Sequence, residues 1–174
     1  TYASVGPKWS NVANTPFRFW KAKSYEGGIC TPMIAYWPKG IKAPKGSIVG
    51  DYGHVIDIMA TCLDLSGAEY PTTYNGNNII PYQGISLKPV FDGGHLNTSR
   101  DLCFEHFEEK ALIDCEGWKI VQPANKKVWE LYDLNTDRSE MHNLAAKYPE
   151  RVAQMIERYL IWEDTHMVNP RPGK

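Results

Sequence analysis

The sequence predicts an α/β fold, and three patterns along the chain support this class. A near-continuous apolar run at residues 29–37 is typical of a strand that is buried on both faces of a parallel sheet. Residues 54–65 have apolar side chains at helical spacing, which predicts an amphipathic helix. Four short strand-like runs follow between residues 102 and 134, and their hairpin spacing indicates an antiparallel sheet.

The first part of the chain opens with a polar segment. Residues 1–14 are small and polar, with Gly6-Pro7 and two asparagines, and are predicted to form a loop. The run at residues 29–37 is the predicted buried strand. Residues 38–51 are rich in Pro, Gly and Lys, so they cannot continue that strand and should be exposed.

The predicted helix at residues 54–65 should end at Gly67, which stands at the expected C-terminal stop. We expect it to pack on the sheet that contains residues 29–37, through Val55, Ile58, Met59, Cys62 and Leu63. Residues 66–99 contain many Gly, Pro, Asn and Thr, and we interpret them as a linker between two subdomains. A single helical turn is predicted within this linker at residues 86–91.

The second part of the chain has a different pattern. Its four strand-like runs are residues 102–107, 111–115, 118–122 and 128–134. Pro149 then fits the first position of a helix. The apolar stripe of this helix should lie across one face of the sheet and consists of Val152, Met155, Ile156, Tyr159 and Leu160. Residues 165–174 are polar with two prolines, so they are expected to fray.

Length and charge restrict the classes of function. The 174 residues suffice for an ordinary domain with a real core, and the 43% hydrophobic share suits a globular protein. A formal net charge of −1 provides no global field for nucleic acid or an anionic membrane. The sequence has no run of about 18 apolar residues, so no membrane span is predicted.

The four cysteines are widely spaced and none forms a C-x-x-C pair, so no zinc site is predicted. Each has apolar neighbours in the sequence, which favours buried free thiols. A disulfide stays open for an exported protein. These residues are Cys30, Cys62, Cys103 and Cys115.

The most specific motif lies at residues 15–32, where Pro16-Phe17-Arg18 precedes Lys21 and Glu26-Gly27-Gly28-Ile29. The two glycines allow positive φ or a close approach of backbone segments. This pattern resembles the late signature of the sulfatases, the arylsulfatase family. Further segments resemble the same family in the same order, namely Asp57-x-x-Ala60-Thr61, Gly117-Trp118-Lys119, Leu131-Tyr132-Asp133-Leu134 and Glu140-x-x-Asn143-Leu144.

The resemblance implies an architecture like that of alkaline phosphatase. Residues 1–95 would be the C-terminal portion of the sulfatase α/β domain and would complete its mixed sheet. Residues 96–174 would form a small four-stranded antiparallel sheet packed with a helix. The implied activity is sulfuric ester hydrolysis, in which Lys21, five residues before Glu26, contacts the sulfate and stabilises charge in the transition state.

The same resemblance implies a calcium ion and a formylglycine nucleophile made from Cys or Ser. Cys30-Thr31-Pro32-Met33-Ile34 has the Cys and Pro of the C-x-P-x-R motif, but Ile34 replaces the required arginine. No calcium ligand is predicted on this chain. We therefore expect the C-terminal part of a sulfatase, with a missing N-terminal catalytic half as its partner, and expect the isolated chain not to hydrolyse an aryl sulfate.

A second candidate for substrate binding is His106, because Glu105-His106 ends the first strand of the second part and sulfatases often have a similar pair there. The imidazole could donate to a substrate oxygen. A histidine that is hydrogen-bonded at a strand edge explains the pattern equally well. Lys23 is expected to be a solvated surface charge.

Other residues near the motif leave alternatives open. Trp20 and Tyr25 could stack on an aryl or sugar ring or pack in the core. Arg18 could position an anionic group or form an internal ion pair. Residues 137–140 are interpreted as a turn without chemistry.

Two other functions remain compatible with the sequence. One is hydrolysis of a phosphoester or phosphonate within the same superfamily, and the other is a non-catalytic carbohydrate-binding or interaction module. The habit of the sulfatase family suggests a periplasmic or extracellular location.

Overall fold

The computed structural model describes residues 6–96 and 99–166. The described residues form two compact units: one joins the residues up to Met33 to those from Ser99 onward, and the other spans Ile34–Thr98. The elements in chain order are α1 Gly6–Ala13, α2 Glu26–Ile29, α3 Asp57–Ser66, β1 Thr73–Tyr74, β2 Asn77–Asn78, α4 Lys88–Phe91, β3 Leu102–His106, β4 Glu109–Ile113, β5 Trp118–Gln122, β6 Glu130–Asp133 and α5 Pro149–Thr165.

The first unit is built on a four-stranded antiparallel sheet with the strand order β3-β4-β5-β6. Each strand pairs with the next one along the chain, so the sheet consists of successive hairpins. The four predicted strands and their antiparallel pairing are confirmed. Side chains of directly paired residues lie on the same face of such a sheet, and successive residues alternate between its two faces.

One face of the sheet is apolar and is covered by α5. Leu112, Ile120 and Leu131 come from three neighbouring strands and pack against Met155 and Tyr159 of the helix. All five side chains are fully buried and form the core of the unit. The predicted helix and its start at Pro149 are confirmed. Leu160 of the predicted stripe is 51% exposed instead, so the buried stripe is narrower than expected.

The opposite face of the sheet has polar and charged side chains. The register places Lys119 opposite both Ile113 and Tyr132, and Val121 opposite Glu130. Lys119, Tyr132 and Glu130 are nevertheless buried. Residues 18–30 cover this face, because Tyr25 and Glu26 bond to Glu130 and Lys119 of the sheet.

In the second unit, the predicted helix is confirmed as α3, and Gly67 ends it in a left-handed conformation with φ 67°. Its buried residues are Asp57, Ala60 and Thr61 rather than the predicted apolar stripe, whose members Val55, Ile58 and Met59 are 72%, 50% and 45% exposed. Polar bonds hold this side of the helix. Asp57 Oδ1 accepts from the backbone of Ile85 at 2.9 Å, and Thr61 Oγ1 accepts from that of Leu87 at 2.9 Å.

The predicted strand at residues 29–37 was wrong. Ile29 ends the short helix α2, and residues 30–37 belong to no helix or strand. Residues 31–37 are exposed, Ile34 to 92%. A strand needs a hydrogen-bonded neighbour, and no described strand pairs with this segment. The packing of α3 on a sheet containing it was therefore wrong as well.

Two predicted irregular segments contain regular structure. Part of the loop predicted at residues 1–14 is the helix α1, which has Pro7 in its first turn. A proline is tolerated there because N–H groups in the first turn of a helix form no bond within the helix. The stretch interpreted as a linker at residues 66–99 contains the hairpin β1–β2 and the predicted helical turn, which is α4. The fraying predicted for residues 165–174 falls almost entirely outside the described residues.

The cysteines are all free thiols. Cys62 and Cys115 are exposed, so the prediction that every thiol is buried was wrong for these two. Cys103 and Cys30 are partly buried, and burial raises the pKa of Cys103 to about 12. No helix within residues 6–96 and 99–166 combines the length and the apolarity needed to cross a membrane.

The division of the chain differs from the expected boundary at residue 95. Residues up to Met33 belong to the same unit as the antiparallel sheet, because the motif segment packs on that sheet. The assignment of residues 1–95 to a sulfatase α/β domain stays a prediction.

Met155→Ala should lower the free energy of unfolding by about 2–5 kcal/mol, because it opens a cavity in the fully buried core between α5 and the sheet. The measurement is urea denaturation followed by tryptophan fluorescence. Leu160→Ala on the same helix is the matched control, and a half-exposed side chain should change stability by about 0.5 kcal/mol or less. Equal losses in both variants would contradict the assignment of the core.

Candidate functional site

The motif segment is held on the polar face of the sheet by a buried tyrosine. Tyr25 is 3% exposed, and its hydroxyl donates to Glu130 Oε2 at 2.6 Å. Tyr132 donates to the same oxygen at 2.8 Å. Burial, followed by the bond to the Glu130 carboxylate, raises the pKa of both tyrosines. Of the two roles considered for Tyr25, the structure shows core packing.

A buried cluster of charges lies next to these tyrosines. The ammonium of Lys119 is 3.0 Å from Glu26 Oε1 and 2.8 Å from Glu140 Oε1. The three side chains are 0%, 2% and 0% exposed. Arg138 lies at the outer edge of the cluster, 3.3 Å from Glu26 Oε2, so two carboxylates are matched by two cations. Burial raises the pKa of Glu140, and the ammonium of Lys119 opposes this shift.

Glu140 contacts both ends of a loop that we call the lysine loop, residues 18–26. The guanidinium of Arg18 donates to the backbone carbonyl of Glu140. At the other end, the backbone N–H of Glu26 donates to Glu140 Oε2 at 2.7 Å. Arg18 therefore makes an internal contact, to a carbonyl rather than to a carboxylate. Its guanidinium also lies 5.2 Å from the centre of the Tyr25 ring.

The two glycines after Glu26 are required by a close approach of the backbone. A Cβ atom on Gly27 would lie 2.1 Å from the carbonyl oxygen of Arg18, and one on Gly28 would lie 1.9 Å from that of Lys23. Neither distance is compatible with a side chain. Of the two explanations offered by the sequence, close approach is correct, because neither glycine has positive φ.

Lys23 is not the solvated lysine that was predicted. Its ammonium forms an ion pair with Glu109, whose side chain is 1% exposed. Glu109 is the first residue of β4 and pairs directly with His106 at the end of β3. The ion pair therefore connects the lysine loop to the turn end of the β3–β4 hairpin.

Lys21 lies exposed on the lysine loop. Within the part of the chain that the structure describes, its ammonium has no hydrogen bond or ion pair. Phe19 and Ala22 on either side of it have φ of 66° and 78°, in the left-handed region that non-glycine residues rarely adopt. Phe19 is held in this conformation by Asn11 Oδ1, which accepts from its N–H at 2.8 Å, and by Asn14 Nδ2, which donates to its carbonyl at 2.8 Å. Ala22 lies in a turn that the N–H of Lys23 closes by donating to the carbonyl of Trp20 at 3.1 Å.

His106 is exposed at the end of β3. Its ring centre lies 4.1 Å from that of Phe107, and the described residues offer it no hydrogen bond. Because it pairs directly with Glu109, its side chain lies on the face of the sheet that holds the lysine loop. No bond joins His106 and Lys21 among the described residues. The two parts of the chain are linked indirectly, because Lys23 forms an ion pair with Glu109 and Glu109 pairs with His106 in the sheet.

Sequence reasoning missed the buried charges that organise this site. Residues 137–140 were interpreted as a turn without chemistry, yet Glu140 is fully buried against Lys119. One signal was available, since both residues belong to segments that resemble the sulfatases. The predicted strand at residues 118–122 contained a second signal. Lys119 stands between Trp118 and Ile120 in its otherwise apolar centre, and a charged residue at such a position requires a partner.

Within residues 6–96 and 99–166, no group of three His, Cys, Asp or Glu side chains could hold a metal ion. The described residues therefore do not fit a calcium site. They form a platform of buried ion pairs and tyrosines that presents one unpaired ammonium.

Comparison with protein families connects this platform to an enzyme class. Residues 17–165 match the family model described as N-sulphoglucosamine sulphohydrolase, C-terminal. This chain belongs to the sulfatase family. The match begins at the motif segment and extends through α5, and it supports the resemblance found in the sequence.

Curated relatives include an uncharacterised sulfatase of Schizosaccharomyces pombe, which is 32% identical over 91% of this chain and 29% of its own length. Arylsulfatase K of Xenopus laevis is 24% identical over 91% of this chain and 30% of its length. N-acetylglucosamine-6-O-sulfatase of Bacteroides thetaiotaomicron is 28% identical over 80% of this chain and 26% of its length. The chain thus spans less than a third of the length of these relatives.

A solved structure described as a complex with its substrate D-glucosamine-2-N,6-O-disulfate has a TM-score of 0.51 to this chain and 22% sequence identity. The match covers 68% of this chain and 25% of the other. It supports the α/β fold class and the antiparallel sheet with its helix. The substrate belongs to that protein.

Ala22→Gly should raise the free energy of unfolding by about 0.5–1 kcal/mol, because glycine adopts φ near 78° without the strain that alanine has there. Thermal or urea denaturation measures the change. The control is Ala153→Gly in the exposed part of α5, which should lower stability by about 1 kcal/mol. A loss of stability in both variants would contradict the strained conformation at Ala22.

Proposed function

We propose that this chain is the C-terminal part of a sulfuric ester hydrolase and that Lys21 binds the sulfate group of its substrate. Membership of the sulfatase family supports the reaction class. The observation that carries the role of Lys21 is its contrast with the other charged residues of the loop. Arg18, Lys23 and Glu26 all have internal partners, whereas the ammonium of Lys21 is exposed.

Hydrolysis of a sulfate ester requires a cation near the sulfate oxygens. In sulfate ester hydrolysis, charge is redistributed over the oxygens of the transferred group, and cations placed in advance at those oxygens lower the barrier. The ammonium of Lys21 would donate to a sulfate oxygen, and its contact would be stronger in the transition state than in the bound ester. A loop that is already fixed does not have to be ordered when the ester binds.

His106 is proposed as a second substrate contact at the rim of the same site. It is exposed and lies on the sheet face that holds the lysine loop. An imidazole at this position would contact the alcohol part of the ester rather than the sulfate. A sulfated amino sugar is the first substrate class to test, because one relative is an N-acetylglucosamine-6-O-sulfatase and a structural neighbour binds a disulfated glucosamine.

The nucleophile and the calcium ion are proposed to belong to the remaining part of the protein, which would form the catalytic half. The isolated chain is expected to be inactive for this reason. A location in the periplasm or outside the cell is proposed because it is common among sulfatases. A phosphoester or phosphonate hydrolase would be indicated if phosphate esters were cleaved faster than sulfate esters.

In the full-length protein, Lys21→Ala should lower kcat for an aryl or sugar sulfate about a hundredfold, as for the loss of one preorganised donor. Lys21→Arg should not restore the rate fully, because a planar guanidinium does not replace a compact ammonium. Steady-state kinetics with each variant measure both effects.

The matched control for this experiment is Lys8→Ala, an exposed lysine on α1. Lys23→Ala is unsuitable, because it would leave the buried carboxylate of Glu109 without its ion pair. A folded Lys21→Ala enzyme with the turnover of Lys8→Ala would contradict the proposed role of Lys21.

The proposed catalytic half should cover an apolar surface on the second unit. Large apolar side chains are exposed there, among them Ile34 at 92%, Ile48 at 96%, Val55 at 72% and Ile80 at 74%. The isolated chain is therefore expected to bind a hydrophobic dye and to self-associate. Sedimentation and dye fluorescence test this, and a monomer that does not bind the dye would contradict it.

A further inference from the structure

We propose that Glu140 is a positioning residue for sulfate binding, because it fixes both ends of the lysine loop and so places the ammonium of Lys21. The inference rests on the proposed function of Lys21 and adds a cause for its position. Glu140 itself is fully buried and would touch neither substrate nor reacting atoms.

The geometry of the loop carries this inference. Arg18 and Glu26 stand eight positions apart in the sequence, and both donate to Glu140, one to its backbone carbonyl and one to its carboxylate. Lys21 lies between them on the exposed part of the loop. A displacement of either end would therefore shift the backbone that carries the ammonium.

Glu140 can serve as a fixed point because its own position is strongly determined. Its backbone N–H donates to the carbonyl of Asp137 at 3.1 Å, within a turn in which the Asp137 carboxylate accepts from the backbone of His142 at 2.8 Å. Its φ is 56°, a conformation that only surrounding contacts maintain. Its carboxylate is further held by Lys119 of β5 at 2.8 Å.

A purely stabilising role is a weaker explanation of this cluster. Well-packed apolar side chains often stabilise a fold as much as buried ion pairs do, whereas ion pairs require particular directions and distances. The core of the unit lies on the opposite face of the sheet, between β4–β6 and α5. The charged cluster instead lies where the loop meets the sheet, and its directional bonds specify the geometry of the loop.

The test uses the full-length protein with para-nitrophenyl sulfate as substrate. Glu140→Ala should lower kcat about tenfold to a hundredfold. A displacement of the Lys21 ammonium by about 1 Å is sufficient for a loss of this size. Glu140→Gln should retain most of the rate, because its amide oxygen can still accept from the N–H of Glu26. Lys119 also keeps its ion pair with Glu26 in this variant.

A double-mutant cycle separates positioning from general stability. If Glu140 acts through Lys21, Glu140→Ala should lower kcat less than about twofold in a Lys21→Ala background, because the contact that it positions is already absent. A full additive loss in that background would overturn the inference. An unchanged kcat in Glu140→Ala, with Lys21→Ala strongly impaired, would overturn it without touching the proposed function.

Hydrogen exchange gives a readout that does not depend on activity. The backbone amides of residues 19–25 should exchange about tenfold faster in Glu140→Ala than in the parent protein, while those of β4 and β5 stay protected. If Glu140→Ala does not fold, Arg18→Met tests the same inference from the other end of the loop. Unchanged exchange and unchanged kcat in that variant would overturn it.

The control is Glu163→Gln, which removes the ion pair with Lys110, formed between α5 and β4. It should change neither kcat nor exchange in the lysine loop. A loss of kcat in this control equal to that of Glu140→Ala would show that any lost ion pair impairs the enzyme, and would overturn the inference. An unchanged kcat in Lys21→Ala would instead refute the proposed function.

Discussion

The ammonium of Lys119 is buried between the carboxylates of Glu26 and Glu140, and this contact joins parts of the chain that are far apart in sequence. Removing charges from water is unfavourable, so each of the three groups requires the others once it is buried. The cluster brings the helix turn after the lysine loop, the third strand of the sheet and the turn before α5 to one place. The position of the exposed lysine follows from it, since the loop is attached to the cluster at both ends.

The two faces of the sheet have different roles in the first unit. On one face, apolar residues from three strands pack on α5, and this burial provides the main stabilising contribution. On the other face, Glu109, Lys119 and Glu130 bind the motif segment through ion pairs and a hydrogen bond. Tyr132 donates to the same Glu130 carboxylate and so helps to hold it in place. A strand with strict alternation thus supplies a non-directional core and a directional platform at once. This division explains why a lysine stands in the middle of an otherwise apolar strand.

Local patterns predicted the elements whose partners are also local. Hairpin spacing was sufficient for β3–β6, because each strand pairs with the next one along the chain. The stripe that begins after Pro149 was sufficient for α5, because helical periodicity shows one buried face whichever strands cover it. The run at residues 29–37 failed, since apolarity indicates a need for burial but not the presence of a neighbouring strand. The family motif singled out Lys21, but nothing near Lys23 in the sequence indicated its ion pair with the distant Glu109. The role of Glu140 also depends on distant partners, so a local reading identified only its turn.

The strained backbone at Phe19 and Ala22 shows that the lysine loop does not adopt its lowest-energy local conformation. Left-handed φ angles at two non-glycine residues are unfavourable by roughly 1–2 kcal/mol each. At Phe19 this is offset by two bonds of 2.8 Å, from its N–H to Asn11 Oδ1 and from Asn14 Nδ2 to its carbonyl oxygen. The contacts with Glu140 and the ion pair of Lys23 lie toward the ends of the loop and also hold it in place. Such an arrangement keeps the ammonium in one place before any anion arrives. A preorganised charge of this kind is what stabilisation of a transition state requires, because no reorganisation then opposes the reaction.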